Sequence, residues 1–349
     1  VSGYPRKYRS ISRRKFLLSA TGMAAGIGVA GLSAVSCSDK KKQSSTAVIE
    51  IDFIGPENLF TVYHSYFRKF NRVFLHYKTL EEALFTSSNG AIVFLPVIQK
   101  ASVLMMLLEM DKDILTPYPL AKNFEEFDTL QKQSNLSDRR IAILDPLRFW
   151  EPVNHITNNI RDKIRSVNKI ELVINQNNPY GIFLPPADGY TGNIAGLVRL
   201  VSYMLRRNYI DVVTRSAEHF NITKTNKRLE LDVKFEGIYM HCNTDNIMNG
   251  WSLIFTGDEL KVSLNSEGTI TGIDDIPVES GKIRSTDPKS EALTKNIGDF
   301  INTMRSRKEP EVNSLDGMAE LEFNLAAFES AGNRDFQSLK DIGSPPNIS

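Results

Sequence analysis

Between Ala91 and Pro152 the chain alternates apolar runs with amphipathic ones, and each apolar run stops at a proline-bearing turn. AIVFLP (Ala91 to Pro96) is apolar throughout, the pattern of a strand whose two faces are both covered by helices. KASVLMMLLEM (Lys100 to Met110) has helical spacing, and Asp113 to Thr116 reads as the next strand, stopped at Pro117-Tyr118-Pro119. Asn123 can cap the helix that follows, with Glu126 three residues on as its capping-box partner. RIAILD (Arg140 to Asp145) is a third strand, leading into Pro146-Leu147-Arg148-Phe149-Trp150-Glu151-Pro152. Strand and helix repeated in this way dictate a parallel sheet with right-handed crossovers.

The strand ending in Pro96, the strand ending in PYPLA, the helix, the third strand and RFWEP together resemble the glucose-fructose oxidoreductase, inositol dehydrogenase and MocA family (Gfo/Idh/MocA). In that family the second turn reads Glu-Lys-Pro, and its lysine sits by the nicotinamide and the substrate. Here the turn reads Pro117-Tyr118-Pro119, so the resemblance puts Tyr118 in the lysine position.

AVIEIDFIG (Ala47 to Gly55) reads as the first strand, which in the family runs into a Gly-x-Gly-x-x-Gly phosphate loop. The loop here is Gly55-Pro56-Glu57-Asn58-Leu59-Phe60, with one glycine of three. Pro56 brings no N–H donor, and Glu57 puts negative charge where a helix N-terminus would attract phosphate. RVFLHY (Arg72 to Tyr77) has no terminal acid for an adenosine ribose and runs straight into KTLEEAL. The interval from Gly55 to Pro96 is short by about one helix and one strand, since a βαβ unit takes roughly 30 residues. Gly55 and Pro96 are the relict cofactor positions. No bound cofactor is expected, with NAD(P) as the alternative.

A helix over Val153 to Ile164 closes this part. From Lys169 the pattern changes to short alternating runs, KIELVIN, RLELDVKF, GIYMHCN, WSLIFTG, DELKVSL and TITGI, which suggest a largely antiparallel sheet of about six strands. Helices are expected over Thr191 to Arg207, Glu291 to Ser306 and Asp316 to Ser330, covering one face and leaving the other as a partner surface for a homo- or hetero-oligomer. This half is also similar to the family, but not at its chemistry. The family's proton-handling His and Asp fall in the segment Asp188 to Leu205, which has no histidine and places Arg199 near the Asp position. The fold class is therefore α/β: a truncated Rossmann-like parallel-sheet domain over residues 47–152, then an α+β domain with an open, largely antiparallel sheet over residues 153–349.

The formal charge of +1 hides an asymmetry: residues 1–36 carry six Lys or Arg and no acid, leaving 36 basic against 41 acidic residues beyond them. That balance leaves no footprint for nucleic acid. Ser12-Arg13-Arg14-Lys15-Phe16-Leu17 matches a twin-arginine export signal, with Arg13 and Arg14 as its pair, and a small-residue apolar stretch follows. Cys37, after Ala34-Val35-Ser36, stands where a lipoprotein signal peptidase would cut. Residues 1–36 are thus expected to be the signal peptide and 37–46 a polar tether. The mature chain would be lipid-anchored at Cys37 on the periplasmic side of a bacterial membrane. The only other cysteine, Cys242, reads as a small core residue.

Five histidines show no zinc-ligand spacing, so no metal is expected. The expected function is a Gfo/Idh/MocA-type lipoprotein without catalysis that binds carbohydrate or a partner. Tyr118, Arg148, Trp150, Tyr190 and Asn193 are its candidate sugar-binding wall. The alternative is an active NAD(P)-dependent oxidoreductase, or an NAD-dependent glycosidase, acting on a sugar or polyol, with Tyr118 as its acid/base group.

Overall fold

The computed structural model describes residues 47–159, 166–175, 190–207, 209–217, 229–245, 250–258, 261–273, 288–333 and 337–338. Arg13, Arg14 and Cys37 lie outside the described residues.

The first half runs β1 (Ile49–Ile54), α1 (Glu57–Phe67), β2 (Val73–Tyr77), α2 (Leu80–Ala83), β3 (Gly90–Val93), α3 (Val97–Glu109), β4 (Asp113–Thr116), α4 (Phe124–Ser137) and β5 (Ile141–Ile143). The five strands pair in parallel in the order β2-β1-β3-β4-β5. This is a doubly wound order that reverses between β1 and β3. It lacks the strand that would flank β2 in a six-stranded dinucleotide-binding sheet, as the short interval before Pro96 implies. Where that unit would lie there is one turn of helix, α2. A capping box holds it: the Glu82 N–H donates to Thr79 Oγ1 at 3.2 Å and the Thr79 N–H to Glu82 Oε2 at 2.8 Å. A buried ion pair lies beside the abbreviated crossover. Lys112 Nζ is 3.1 Å from Asp52 Oδ2 and also donates to Thr86 and Ser88. With its donors met in this way, the ammonium is tolerated in the interior.

Two local expectations need correction. Helix α3 starts at Val97 rather than Lys100, because the Pro96 carbonyl takes the first N–H groups, those of Gln99 and Lys100, both at 3.0 Å. The capping box at Asn123 is only half made. Asn123 Oδ1 accepts the Glu126 N–H at 2.9 Å, while Glu126 Oε2 takes the N–H of Lys122, not that of Asn123.

After β5 come a 3-10 turn (Pro146–Phe149) and α5 (Glu151–Asn159), which starts two residues earlier than expected. The second half contains β6 (Val167–Asn175), α6 (Tyr190–Leu205), β7 (Tyr209–Ala217), β8 (Leu229–Phe235), β9 (Ile238–Asp245), β10 (Trp251–Gly257), β11 (Lys261–Asn265), β12 (Ile270–Ile273), α7 (Pro288–Ser306), α8 (Ser314–Asn333) and β13 (Gln337–Ser338). Among the described residues its sheet has eight strands, against about six expected, in the order β12-β11-β10-β6-β9-β8-β7-β13. The sequence reading missed β7, whose polar residues break the alternation, and the two-residue β13. All neighbours are antiparallel except β6 and β9, which run parallel.

One face of this sheet is buried: Ile170, Leu172, Leu231, Val233, Met240, Cys242, Leu253 and Phe255 all point into the core. That core is continuous with the α3 and α4 side of the parallel sheet, running through Leu104, Leu107, Phe127, Leu147, Trp150, Val198 and Phe323. A second cluster fills the other side of the parallel sheet, where Phe53, Tyr63 and Phe67 meet Ile297 and Phe300 of α7. The shared core joins the two halves.

Candidate functional site

In a doubly wound sheet, ligands gather at the carboxyl ends of the strands near the order reversal. Here those ends are Gly55 after β1, Phe94 to Pro96 after β3, Pro117 to Pro119 after β4 and Asp145 after β5.

The β1 end is packed tightly against the β3 end. A Cβ added at Gly55 would stand 2.8 Å from Phe94 Cβ and 3.0 Å from the Phe94 carbonyl oxygen, so the glycine is needed for contact with the chain's own β3 end. Phe94 belongs to an aromatic cluster with Phe53 (5.5 Å between ring centroids) and Tyr63 (5.0 Å), extended by Phe60 and Tyr77. Pro56 is the N-cap of α1 and makes no side-chain cap, and Glu57 lies in the first turn. The Leu59 N–H turns back to the Pro56 carbonyl at 3.1 Å. A pyrophosphate needs converging N–H groups and positive potential. This loop supplies a proline, a carboxylate and a phenylalanine, and does not fit that group.

The β4 and β5 ends hold a buried polar cluster. Asp145 follows β5, and Asn296 of α7 fixes its backbone: the Asp145 N–H donates to Asn296 Oδ1 at 2.8 Å, and Asn296 Nδ2 donates to the Ile143 carbonyl at 3.3 Å. Arg148, one turn on, lies 3.9 Å above the Tyr203 ring of α6 and donates through Nη1 to Asp316 Oδ1 at 3.3 Å. Arg199, also on α6, reaches the same oxygen at 2.6 Å. Asp316 does a second job: its Oδ2 accepts the Asn313 N–H at 3.2 Å while Asn313 Oδ1 accepts that of Leu315, closing a box at the start of α8.

Among the described residues, three buried polar atoms of this cluster find no hydrogen-bond partner: Tyr118 Oη, Asp145 Oδ2 and Arg148 Nε. Native proteins rarely leave such atoms unmet, and a group of them marks a place where water or a ligand completes the bonding. Burial pushes the Asp145 carboxyl up to about 6, against the opposing pull of Arg148. Burial likewise raises the Tyr118 phenol well above its usual range, with Asp145 and Asp316 adding to the effect. The cluster offers a phenol, a guanidinium N–H and a carboxyl that titrates near neutrality, a set able to bind a hydroxyl and accept its proton.

Of the expected wall residues, Tyr118 and Arg148 come together here. Trp150 does not belong to an exposed wall. It is fully buried, packed edge-on to Trp251 at 6.1 Å and covered at Gly268, so neither ring face is open to a sugar. Tyr190 and Asn193 lie in the first turn of α6, and their side chains are outside the described residues. Pro96 serves as the N-cap of α3. Asp145, Arg199 and Asp316 were missed as site residues. Asp145 read as a strand end, and Arg199 and Asp316 are 117 positions apart, so nothing local links them. Among the described residues no three His, Cys, Asp or Glu side chains are grouped to hold a metal.

Solved structures place this architecture. The chain superposes on the WlbA dehydrogenase from Bordetella pertussis in complex with NADH and UDP-GlcNAcA with a TM-score of 0.69, at 12% identity, covering 84% of this chain and 98% of that one. It matches the aldose-aldose oxidoreductase from Caulobacter crescentus complexed with glycerol at a TM-score of 0.65 and 11% identity, over 84% of this chain and 100% of that one. An oxidoreductase from Agrobacterium radiobacter in complex with NAD+, L-tartaric acid and magnesium gives 0.65 at 9% identity, over 84% and 99%. The chain has the Gfo/Idh/MocA oxidoreductase fold. No protein-family model matches the sequence, and neither does any curated protein. On the Gfo/Idh/MocA fold, the Tyr118, Asp145 and Arg148 cluster lies at the strand ends of the parallel sheet, against α6 and α8 of the second half.

Proposed function

We propose that this chain is a Gfo/Idh/MocA-type protein whose nicotinamide site has closed, and that it works as a carbohydrate-binding or partner protein rather than as a dehydrogenase. The observation that carries this reading is the contact of Gly55 with Phe94, beside a loop that presents Pro56 and Glu57 where the fold's dinucleotide-binding members present N–H groups. The ligand site is the Tyr118, Asp145 and Arg148 cluster, whose unmet polar atoms suit the hydroxyls of a sugar or polyol. The ligands of two structural neighbours, a nucleotide-linked sugar acid and glycerol, are of the same hydroxyl-rich kind. The export signal and Cys37 give the protein a lipid anchor on the periplasmic side of a bacterial membrane.

A second reading, an active NAD(P)-dependent oxidoreductase or glycosidase, is favoured by one observation. Asp145, buried beside Tyr118 and titrating near 6, is a proton acceptor of the kind that the α6 segment lacks. Such a base is worth about 10²- to 10⁴-fold in rate. A thermal-shift panel of sugars, polyols and sugar acids, run on the wild type and on Asp145→Asn with and without NAD(P), separates the readings. Stabilisation by a carbohydrate that needs no nucleotide and is lost in the variant supports the binding protein. Stabilisation that appears only with nucleotide supports the enzyme.

A further inference from the structure

Helix α8 carries a polar stripe into the core. Asp316, Glu320 and Asn324 stand at successive turns on one face of it, each four residues from the last. Asp316 is the acceptor that Arg148 and Arg199 share. Glu320 and Asn324 are fully buried, and Asn324 Nδ2 donates to Glu320 Oε1. Among the described residues, Glu320 Oε2 and Asn324 Oδ1 find no hydrogen-bond partner. The pair holds more acceptors than donors, which suits a carboxyl that keeps its proton. Burial favours that form, and the charge of Lys100 works against it. Lys100, in the first turn of α3, is itself 2% exposed, and its Nζ donates to the Pro117 carbonyl at 3.1 Å. That carbonyl belongs to the peptide bond that leads into Tyr118. The turn has few backbone handles, because Pro117 and Pro119 bring no N–H and Tyr118 has the single one of the three residues. Helix α8 also meets this segment directly: a Cβ added at Gly317 would stand 2.5 Å from Leu120 Cδ1.

We infer that Lys100 and Glu320 regulate the ligand site: Lys100 is the positioning residue that holds the turn carrying Tyr118, and the proton on Glu320 decides whether it does so. The inference rests on the reading of the Tyr118, Asp145 and Arg148 cluster as that site. While Glu320 is neutral, the ammonium stays on the Pro117 carbonyl and Tyr118 is held against Asp145 and Arg148. Once Glu320 ionises, its carboxylate is a stronger acceptor than a peptide carbonyl, because a bond between two charged groups outweighs one to a neutral oxygen. Lys100 then turns to Glu320, and the turn loses its tie. On the other elements packed against α8, the described charged side chains are Arg199 of α6, Asp211 of β7, and Glu125, Glu126, Asp128 and Lys132 of α4. The charge that acts on Glu320 is that of Lys100.

The test reads the Pro117 carbonyl itself and needs no ligand. The full chain in detergent is labelled with carbon-13 at the proline carbonyls and nitrogen-15 in tyrosine. Only Pro117-Tyr118 and Pro179-Tyr180 then join two labelled atoms, and Tyr180→Phe assigns the pair in an amide–carbonyl correlation spectrum. The spectrum is followed across the value of about 8 to which burial pushes Glu320. In the wild type the Pro117 carbonyl is expected to shift upfield as pH rises through that value, because the bond from Lys100 is lost. Glu320→Gln is expected to keep the low-pH position throughout, and Lys100→Met the high-pH position throughout. A tie that is only structural would be lost in Lys100→Met but would show no titration in the wild type. A wild-type carbonyl that does not move overturns the inference, and so does one that moves equally in Glu320→Gln. A Lys100→Met spectrum identical to that of the wild type at low pH overturns it too. Glu320→Gln decides the question if Lys100→Met does not fold. If no sugar stabilises the protein while this titration is present, the ligand reading fails and the control of the turn stands, so the two claims fail separately.

Discussion

Arg148 and Arg199 donate to a single carboxylate oxygen, Oδ1 of Asp316, from two different elements at 3.3 and 2.6 Å. The contact ties the turn after β5 to α6 and to the start of α8, so one carboxylate holds together three pieces of chain at the site. Removing it takes a shared acceptor from two largely buried guanidinium groups. Asp316→Asn, which keeps the shape of the helix cap, is therefore expected to lower stability by about 3–5 kcal/mol, the range found when one partner of a buried ion pair is deleted. Urea unfolding measures it, and a loss under about 1 kcal/mol would show that the arginines find other acceptors.

Glu320 predicts a pH dependence of stability. It lies fully buried in α8, bonded to Asn324 and near Lys100, and burial pushes its carboxyl up to about 8 from the usual 4.5. Between those two values the folded state holds a proton that the unfolded state has released. Stability must then fall as pH rises through this window, with a slope approaching about 1.4 kcal/mol per pH unit. Asp145 adds a slope of the same sign that ends near pH 6. Glu320→Gln should flatten the dependence above pH 6 and raise the melting temperature at pH 8. A profile above pH 6 identical to that of the wild type would mean that Glu320 is ionised in the fold.

Both tryptophans of the chain are sealed, Trp150 at 0% exposure and Trp251 at 1%. Their emission is expected to be blue-shifted, insensitive to iodide and unchanged by sugars. Trp150→Ala should cost about 3–5 kcal/mol as a large core deletion. Quenching of the wild type by iodide in the native state would show that the turn at Gly268 opens.

The parallel sheet was legible from the sequence because its signals are local. Ala91 to Val93 and Ile141 to Ile143 are apolar without interruption, and prolines end the runs. The loss of one βα unit could be read from the length between Gly55 and Pro96. The packing at the β1 end could be read only in part. Pro56 and Glu57 announce it, but the contact of Gly55 with Phe94 joins residues 39 positions apart and carries no motif. The same holds for Asp316, whose carboxylate looks like any helix-capping acid until α6 and the β5 turn are placed against it. Trp150 was misjudged because an aromatic after a strand fits a binding wall and a core equally well in sequence. The hairpin turn at Gly268, far along the chain, decides between them. Strand β7 was missed because Asp211, Thr214 and Arg215 break its alternation, while pairing to β8 supplies the order that the pattern lacks.

The proposed lipid anchor makes a prediction of its own. Metabolic labelling with a fatty-acid probe should mark the exported protein in the membrane fraction, and Cys37→Ser should abolish both the label and the membrane association. Labelling that persists in the variant would contradict anchoring at this residue.

The claim on which the rest depends is that Gly55, Pro56, Glu57 and Phe94 have closed the nucleotide site, and isothermal calorimetry of the purified protein with NAD(H) and NADP(H) tests it most directly. The account predicts no binding heat up to about 1 mM nucleotide, the weak limit of a loop with too few donors and an opposing charge. A dissociation constant of about 10 μM or tighter would contradict it and make the protein a nicotinamide enzyme, with Asp145 as its proton acceptor.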